Sequence, residues 1–467
     1  MRHVEELART ALAYLSHSWR GIVAVTAIVT IGHHFHGLDP VDTYAFLVIS
    51  HFLGSPPAGE TSRKVVVASI DPVAHERDYH ERSPLDRCVL HRHLKTVYET
   101  EPRPSLVVVD LDLSPAPVAG ASEGESSCEE ALYGLVADRT RARTNTVLMD
   151  PFEASTEEGR QRAKLWKARM VDAGVRFGHA LVPSDWGLAV RHHCDGRSLA
   201  VVAYLAEPRP ARSPRRSNCL SEGHAKSFID PRHYLAGIAV IPLASASFDA
   251  RIADAMKNIP PPKDDPRRVV FFGGGWGESD TYLTPVGELY GVEVHAAAYL
   301  SLDDPPRAVS HLASATLDLL IASVVGLVFS RCWRGYFAAA FARSRTRREC
   351  AVGYLVGLGA LVGGFSLGLA VGAWWLLSRG LWLSPIAIVV GMLIHAFVES
   401  LQEAVAAARE GAPAHGPARL SRRVARFLWG DVAELYRRKA RTAAMVLALK
   451  RAAWLFVAGF GLWLVLS

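Results

Sequence analysis

Apolar residues are unevenly distributed along this chain. Long runs stand apart at 21–36 (GIVAVTAIVTIGHHFH), 313–329, 351–377, 381–398 and 452–466. A helix crossing a bilayer core needs roughly 20 mostly apolar residues, so each run predicts a membrane helix. The first reads as an uncleaved anchor behind Arg20 rather than a signal peptide, because no small-residue cleavage site follows it cleanly. Asp318 is the one flaw in the second run. The fifth is short, and Lys450 and Arg451 extend it by snorkelling.

Between the first and second runs the apolar stretches are shorter and end in polar turns. KVVVASID (64–71), SLVVVDLDL (105–113), LAVVAYL (199–205), AGIAVIPL (236–243) and RRVVFFGGG (267–275) predict strands buried on both faces. Helical spacing lies between them. Leu90, Leu94, Val97 and Tyr98 share one face of 86–100, and 156–173 is charged and amphipathic. Strand alternating with helix predicts an α/β domain over 54–310. The three close-set runs of 313–398 predict an all-α transmembrane part. The Pro/Arg stretch at 207–218 reads as a loop.

Charge fixes the expected orientation. The chain carries 52 Lys+Arg against 46 Asp+Glu, net +6. Arg331, Arg334, Arg343, Arg345, Arg347 and Arg348 crowd the loop after the second run, and further arginines fill 399–451 after the fourth. The loop between the third and fourth runs has only Arg379. The positive-inside rule therefore puts both basic segments and residues 1–20 in the cytoplasm and 54–310 outside. This placement accounts for the basic balance without nucleic acid as a partner. The mean hydropathy of +0.13 reflects the membrane runs. Leu420, Val424, Phe427, Leu428, Leu435 and Tyr436 make an apolar stripe on a basic helix within 417–441. That helix suits the inner face of the lipid bilayer or a docked partner.

Cysteine placement follows the same division. Cys88, Cys128, Cys194 and Cys219 fall outside, and Cys332 and Cys350 inside. Two local bridges, Cys88–Cys128 and Cys194–Cys219, are the expected pairing in an oxidising compartment.

Several stretches together resemble a known family. After the anchor come LDPVDTYAFLV and VVVASIDP, then RHLKTVYETEPRPSLVVVDLDL, and finally RRVVFFGGGWGESDTYLTPVGELYGVEVHAAAYLSL just before the second membrane run. Over roughly 21–399 this resembles the type-two CHASE domain, an extracellular sensor module of bacterial signalling proteins. Residues 269–300 carry the most specific part: a strand, a Gly-rich turn, Asp280, Thr284-Pro285 and GVEVHA. The resemblance implies a multi-pass protein of the bacterial inner (plasma) membrane. Its relatives usually fuse the sensor to a kinase or nucleotide cyclase. No such motif follows here, which implies a separate cytoplasmic or membrane effector.

Asp71, Asp110 and Asp112 end or follow strands, where ligands of α/β sheets collect. Asp280 and His295 flank the Gly-rich turn and are expected to join the same cleft. Asp71, Asp110 and Asp280 are expected in one pocket. Each aspartate has a competing role as a turn cap, and His295 has one as a hydrogen-bonded core residue. FGGGWGESD fails the dinucleotide spacing, since Glu278 occupies the sixth position, and reads as a tight turn. In the HHCD stretch of His192, His193, Cys194 and Asp195, a disulfide competes with metal binding. His33, His34 and His36 fit a membrane interface. No metal, no cofactor and no catalytic residue is expected, as no HExxH occurs. Gly353, Gly357, Gly364, Gly368 and Gly372, with Gly359 and Gly363, give the third run glycine spacing for close helix packing, within the chain or in a homo-oligomer. The reading is a receptor-like sensor, with an oligomeric membrane effector or channel gated by the outer domain as the alternative and a periplasmic enzyme as the third.

Overall fold

A computed structural model describes residues 19–410, with breaks at 20, 33–37, 53–64, 116–122, 143, 154, 185–187, 208–225, 236, 246, 260–267, 304–306, 309–310, 341–344, 380 and 383–385. The elements run α1 (Gly21–Gly32), α2 (Asp39–Phe52), β1 (Val65–Ile70), α3 (Pro72–Tyr79), α4 (Arg87–Glu99), β2 (Leu106–Asp110), α5 (Glu123–Arg141), β3 (Asn145–Met149) and α6 (Glu157–Asp172). They continue with β4 (Arg176–Gly178), β5 (Arg191–His193), α7 (Leu199–Ala206), β6 (Lys226–Phe228), α8 (Pro231–Leu235), β7 (Ile238–Pro242), α9 (Phe248–Asn258), β8 (Val269–Gly274), β9 (Thr281–Thr284), β10 (Gly287–Tyr290) and α10 (Gly291–Asp303). Last come α11 (His311–Ala340), α12 (Arg345–Ser378) and α13 (Ile386–Glu410).

Contacts divide the chain into two compact units, one of Phe46–Arg307 with Trp374–Trp382, the other of Met1–Ala45, Ala308–Ala373 and Leu383–Ser467. The first holds a six-stranded sheet in the order β4-β3-β2-β8-β1-β7, parallel throughout. Alternation along each strand splits the core in two. Val66, Ala68, Ile70, Val107, Val109, Val270 and Phe272 pack on one face with Leu90 and Leu94 of α4, Leu132 and Val136 of α5, Met170 of α6 and Ile252 of α9. Val65, Val67, Leu106, Val108, Val269 and Phe271 pack on the other with α7 and α10. Strands buried on both faces need apolar residues at both parities, which is why these runs lack a polar alternation.

Most predicted strands and helices fall where the pattern put them, and one does not. LAVVAYL is α7, a helix. Ser198 caps it by accepting from the Val201 amide at 3.3 Å, and all of its residues except Leu205 are buried. A short, wholly apolar run carries no periodicity to tell strand from helix. GVEVHA alternates like a strand and is also helical, opening α10.

Cys88 of α4 is bonded to Cys128 of α5, with 4.9 Å between Cα atoms, as expected. Cys194 is also disulfide-bonded. Its expected partner Cys219 lies outside the described residues.

In the second unit, Ile22 and Val29 of α1 pack with Ala322, Val325 and Phe329 of α11, Leu358 of α12, and Ile388, Met392 and Ala396 of α13. Among the described residues two helical stretches are long and apolar enough to cross a membrane: Thr316–Ala339 and Gly353–Ser378. The first and fourth predicted runs appear as shorter apolar helices, Gly21–Gly32 and Ile386–Leu401. The fifth run and the amphipathic stripe of 417–441 lie outside the described residues. Among the described residues nothing packs against the glycines of α12. A Cβ built on Gly353, Gly357, Gly359, Gly363, Gly364, Gly368 or Gly372 meets no atom within 4 Å.

Candidate functional site

The carboxyl ends of β2, β3 and β8 open into a cavity of about 1100 Å³. Asp110 and Asp112 line it from the end of β2, Asp150 from the end of β3, and Gly274 and Trp276 from the turn after β8. Asp280 and Tyr282 line it from the following segment, and Arg160, Lys164 and Lys167 from α6. This is where open parallel sheets hold ligands, because side chains there project from strand ends into loops rather than into the core.

Asp110 is the most deeply placed. Its side chain is 7% exposed, and burial pushes its pKa up to about 7. Among the described residues it accepts no hydrogen bond. Gly273 lets it sit there: a Cβ on Gly273 would lie 2.7 Å from Val292 Cγ2 and 3.1 Å from Asp110 Cβ.

Asp280 ends a 3-10 turn that begins after Gly277, whose φ of 82° suits glycine. Burial and then the negative charge of Asp110 push its pKa up to about 7, while His295 and the Gly291 amide work against the rise. Gly291 is fitted to this carboxylate, since a Cβ there would stand 2.5 Å from Asp280 Oδ1. His295, on α10, donates from Nε2 to the Ala180 carbonyl at 2.9 Å, and burial lowers its pKa. It is thus both a hydrogen-bonded core residue and a neighbour of the two acids.

Asp112 is a loop-holder at the cleft wall. It accepts from the Ser114 amide at 2.8 Å and the Phe152 amide at 3.0 Å. The buried Arg87 steadies the same loop by donating to the Ser114 carbonyl at 2.8 Å.

Asp71 does not line the cavity, against expectation. It caps α3 by accepting from the Ala74 amide at 2.9 Å, and its second oxygen accepts from the Ala244 amide at 2.9 Å. Both oxygens are therefore spent on two loops, the capping role that competes with ligand binding after a strand.

Several cleft residues escaped the sequence reading. Asp150 ion-pairs with Lys167 and lies 3.2 Å from His179 Nδ1. NTVLMD repeats the pattern of an apolar strand ending in aspartate, so Asp150 was findable by the rule that picked Asp110. Trp276 stacks on His75 at 4.5 Å between ring centroids, with 15° between planes. Only its place in the Gly-rich turn hinted at that. In the HHCD stretch, His192 is buried, and burial lowers its pKa to about 4. Asp195 accepts from the Ser198 amide at 3.1 Å. Among the described residues no group of three or more His, Cys, Asp or Glu is placed to hold a metal ion.

No protein-family model matches the chain, and no curated protein or solved structure matches it.

Proposed function

We propose that this chain is a membrane-embedded, receptor-like sensor that binds a small polar ligand in the cleft at the carboxyl edge of its sheet. The observation that carries this reading is Asp110: a carboxylate almost wholly buried, facing a large cavity and unsatisfied by the described residues. Burying such a group without a partner is costly, and perturbed carboxylates in a cleft mark functional sites. The resemblance to the type-two CHASE domain agrees with a sensor. So does the sequence of an α/β region followed by helices able to cross a membrane.

In this reading the protein is a multi-pass protein of the bacterial inner membrane, N-terminus inside and 54–310 outside. It passes its signal through the helices to a separate effector. Cys332 on α11 then faces the cytoplasm. An impermeant thiol reagent applied to intact spheroplasts of a Cys350→Ser variant should leave it unmodified, and labelling would reverse the orientation.

The binding claim is tested by thermal unfolding of the full chain in detergent against a library of small polar solutes. At least one solute should raise Tm in the wild type and fail to do so in Asp110→Asn and Asp280→Asn. Equal shifts in all three proteins, or none in any, would contradict the cleft assignment.

A further inference from the structure

The cleft has two poles. On one side stand Asp110 and Asp280, buried and adjacent to His295, whose Nε2 is already committed to the Ala180 carbonyl. That pole needs positive charge or hydrogen-bond donors. A metal ion is poorly served, because no third ligand joins the two carboxylates among the described residues. A cation that carries its own hydrogens needs no such ligand set. An ammonium brings donors for two carboxylates at once, in charge-assisted bonds. The Trp276 ring on the cavity wall is the kind of surface a cation tolerates.

The other side is basic, but much of that charge is already answered. Lys167 and His179 both face Asp150, and Arg160 donates to Glu157 at 2.7 Å. Lys164 lines the cavity and, among the described residues, has no ion-pair partner. It is an open site for an anion.

We propose that the cleft takes a zwitterionic small molecule, with its ammonium group between Asp110 and Asp280 and its anionic group turned to Lys164. This rests on the cleft being the ligand site and adds the ligand's class. A diamine of the same size would meet Lys164 with like charge, a dicarboxylate would meet Asp110, and a neutral polyol would use neither pole. Each mismatch leaves a charged group desolvated without a partner, and discrimination of this kind is steep.

The test uses the full chain in detergent, titrated with ω-amino acids from aminobutanoate to aminohexanoate. Diamines and dicarboxylates of matched length and a neutral sugar serve as comparators. At least one ω-amino acid should bind and raise Tm, with every comparator about tenfold weaker or more. Asp280→Asn should abolish that binding, and Lys164→Ala should weaken it. Lys164 is exposed, so its truncation leaves the fold intact and keeps the test informative if an aspartate variant misfolds. A comparator that binds as well as the best ω-amino acid, or no binding by any ω-amino acid, overturns the zwitterion. If that comparator's binding is also lost in Asp280→Asn, the cleft stands and only the ligand class falls. If Asp280→Asn changes nothing that binds, the cleft reading falls too.

Discussion

His295 Nε2 stands 4.0 Å from Asp110 Oδ2, and yet its proton goes elsewhere, to the Ala180 carbonyl at 2.9 Å. The spacing suits an ion pair, but burial lowers the histidine's pKa and raises that of the aspartate, so each is driven towards its neutral form. The pair is a neutral imidazole beside an acid that titrates near neutrality. This is an arrangement in which a bound cation would shift protons.

The first consequence is a pH dependence with an unusual sign. The folded pKa of Asp110 and Asp280 is about 7, above the ordinary 3.8. The fold therefore holds protons that the unfolded chain has lost, and stability falls as pH rises from about 4 through about 7. Glu293, raised by burial, adds in the same direction. His295 opposes them, because a lowered folded pKa removes stability as pH drops below about 6.5. Tyr282, also raised, acts only in the alkaline range. Unfolding of Asp110→Asn across this window should show a flatter profile than the wild type. Near pH 8 the variant should gain on the order of 3 kcal/mol in relative stability. Parallel profiles would place the aspartate in a solvated site.

Gly291→Ala tests the fit of the second acid. The new Cβ would lie 2.5 Å from Asp280 Oδ1, which forces the carboxylate to move. The obstructing atom ends a side chain, so the fold should survive with a loss of about 1–2 kcal/mol. Solute binding in the cleft should weaken at least as much as in Asp280→Asn. Unchanged binding would show that the position of Asp280 is unimportant.

The Cys88–Cys128 bridge closes a loop of sequence separation 40 and should contribute on the order of 4 kcal/mol. Cys88→Ser with Cys128→Ser should lower the denaturation midpoint accordingly, with a slope equal or steeper, because the freed unfolded chain exposes more surface. A loss under about 1 kcal/mol would mean that α4 and α5 are held together by their packing alone.

Among the described residues no atom lies within 4 Å of a Cβ built on the glycines of α12. Gly364→Leu and Gly368→Leu should therefore leave thermal stability within about 0.5 kcal/mol of wild type. If the glycines form a seam between copies, the same changes should abolish crosslinked oligomers in lipid. Destabilisation of the monomer would mean that they pack internally after all.

The parts of the fold legible in the sequence are those where one physical cause dominates. β1, β2, β7 and β8 are apolar at both parities because helices cover both faces, and α4 and α6 show 3.6-residue spacing beside polar caps at Asp86 and Thr156. α7 reads as a strand because a short run apolar at every position carries no helical periodicity. The short β4, β5 and β6 went unseen, since three residues carry no pattern. In the cleft, Asp110, Asp112 and Asp280 gather as their positions beside strand ends and the Gly-rich turn suggested, whereas His295 does not line the cavity and sits buried beside the two acids. Asp71 obeys the same local rule and is diverted, because its strand end meets two amides that take both oxygens. The basic wall of α6 was invisible, because nothing local distinguishes Lys164 from any exposed lysine.

The most direct test of the central claim is hydrogen–deuterium exchange on the full chain in lipid nanodiscs, with and without each ω-amino acid from aminobutanoate to aminohexanoate at saturation. The account predicts slower exchange on binding in three segments: the turn from Gly273 to Thr284, the loop from Asp110 to Ser114, and the first turn of α10 at Gly291. The remainder of the sheet should be unchanged. Protection absent from these segments, or concentrated away from the carboxyl edge of the sheet, would contradict it.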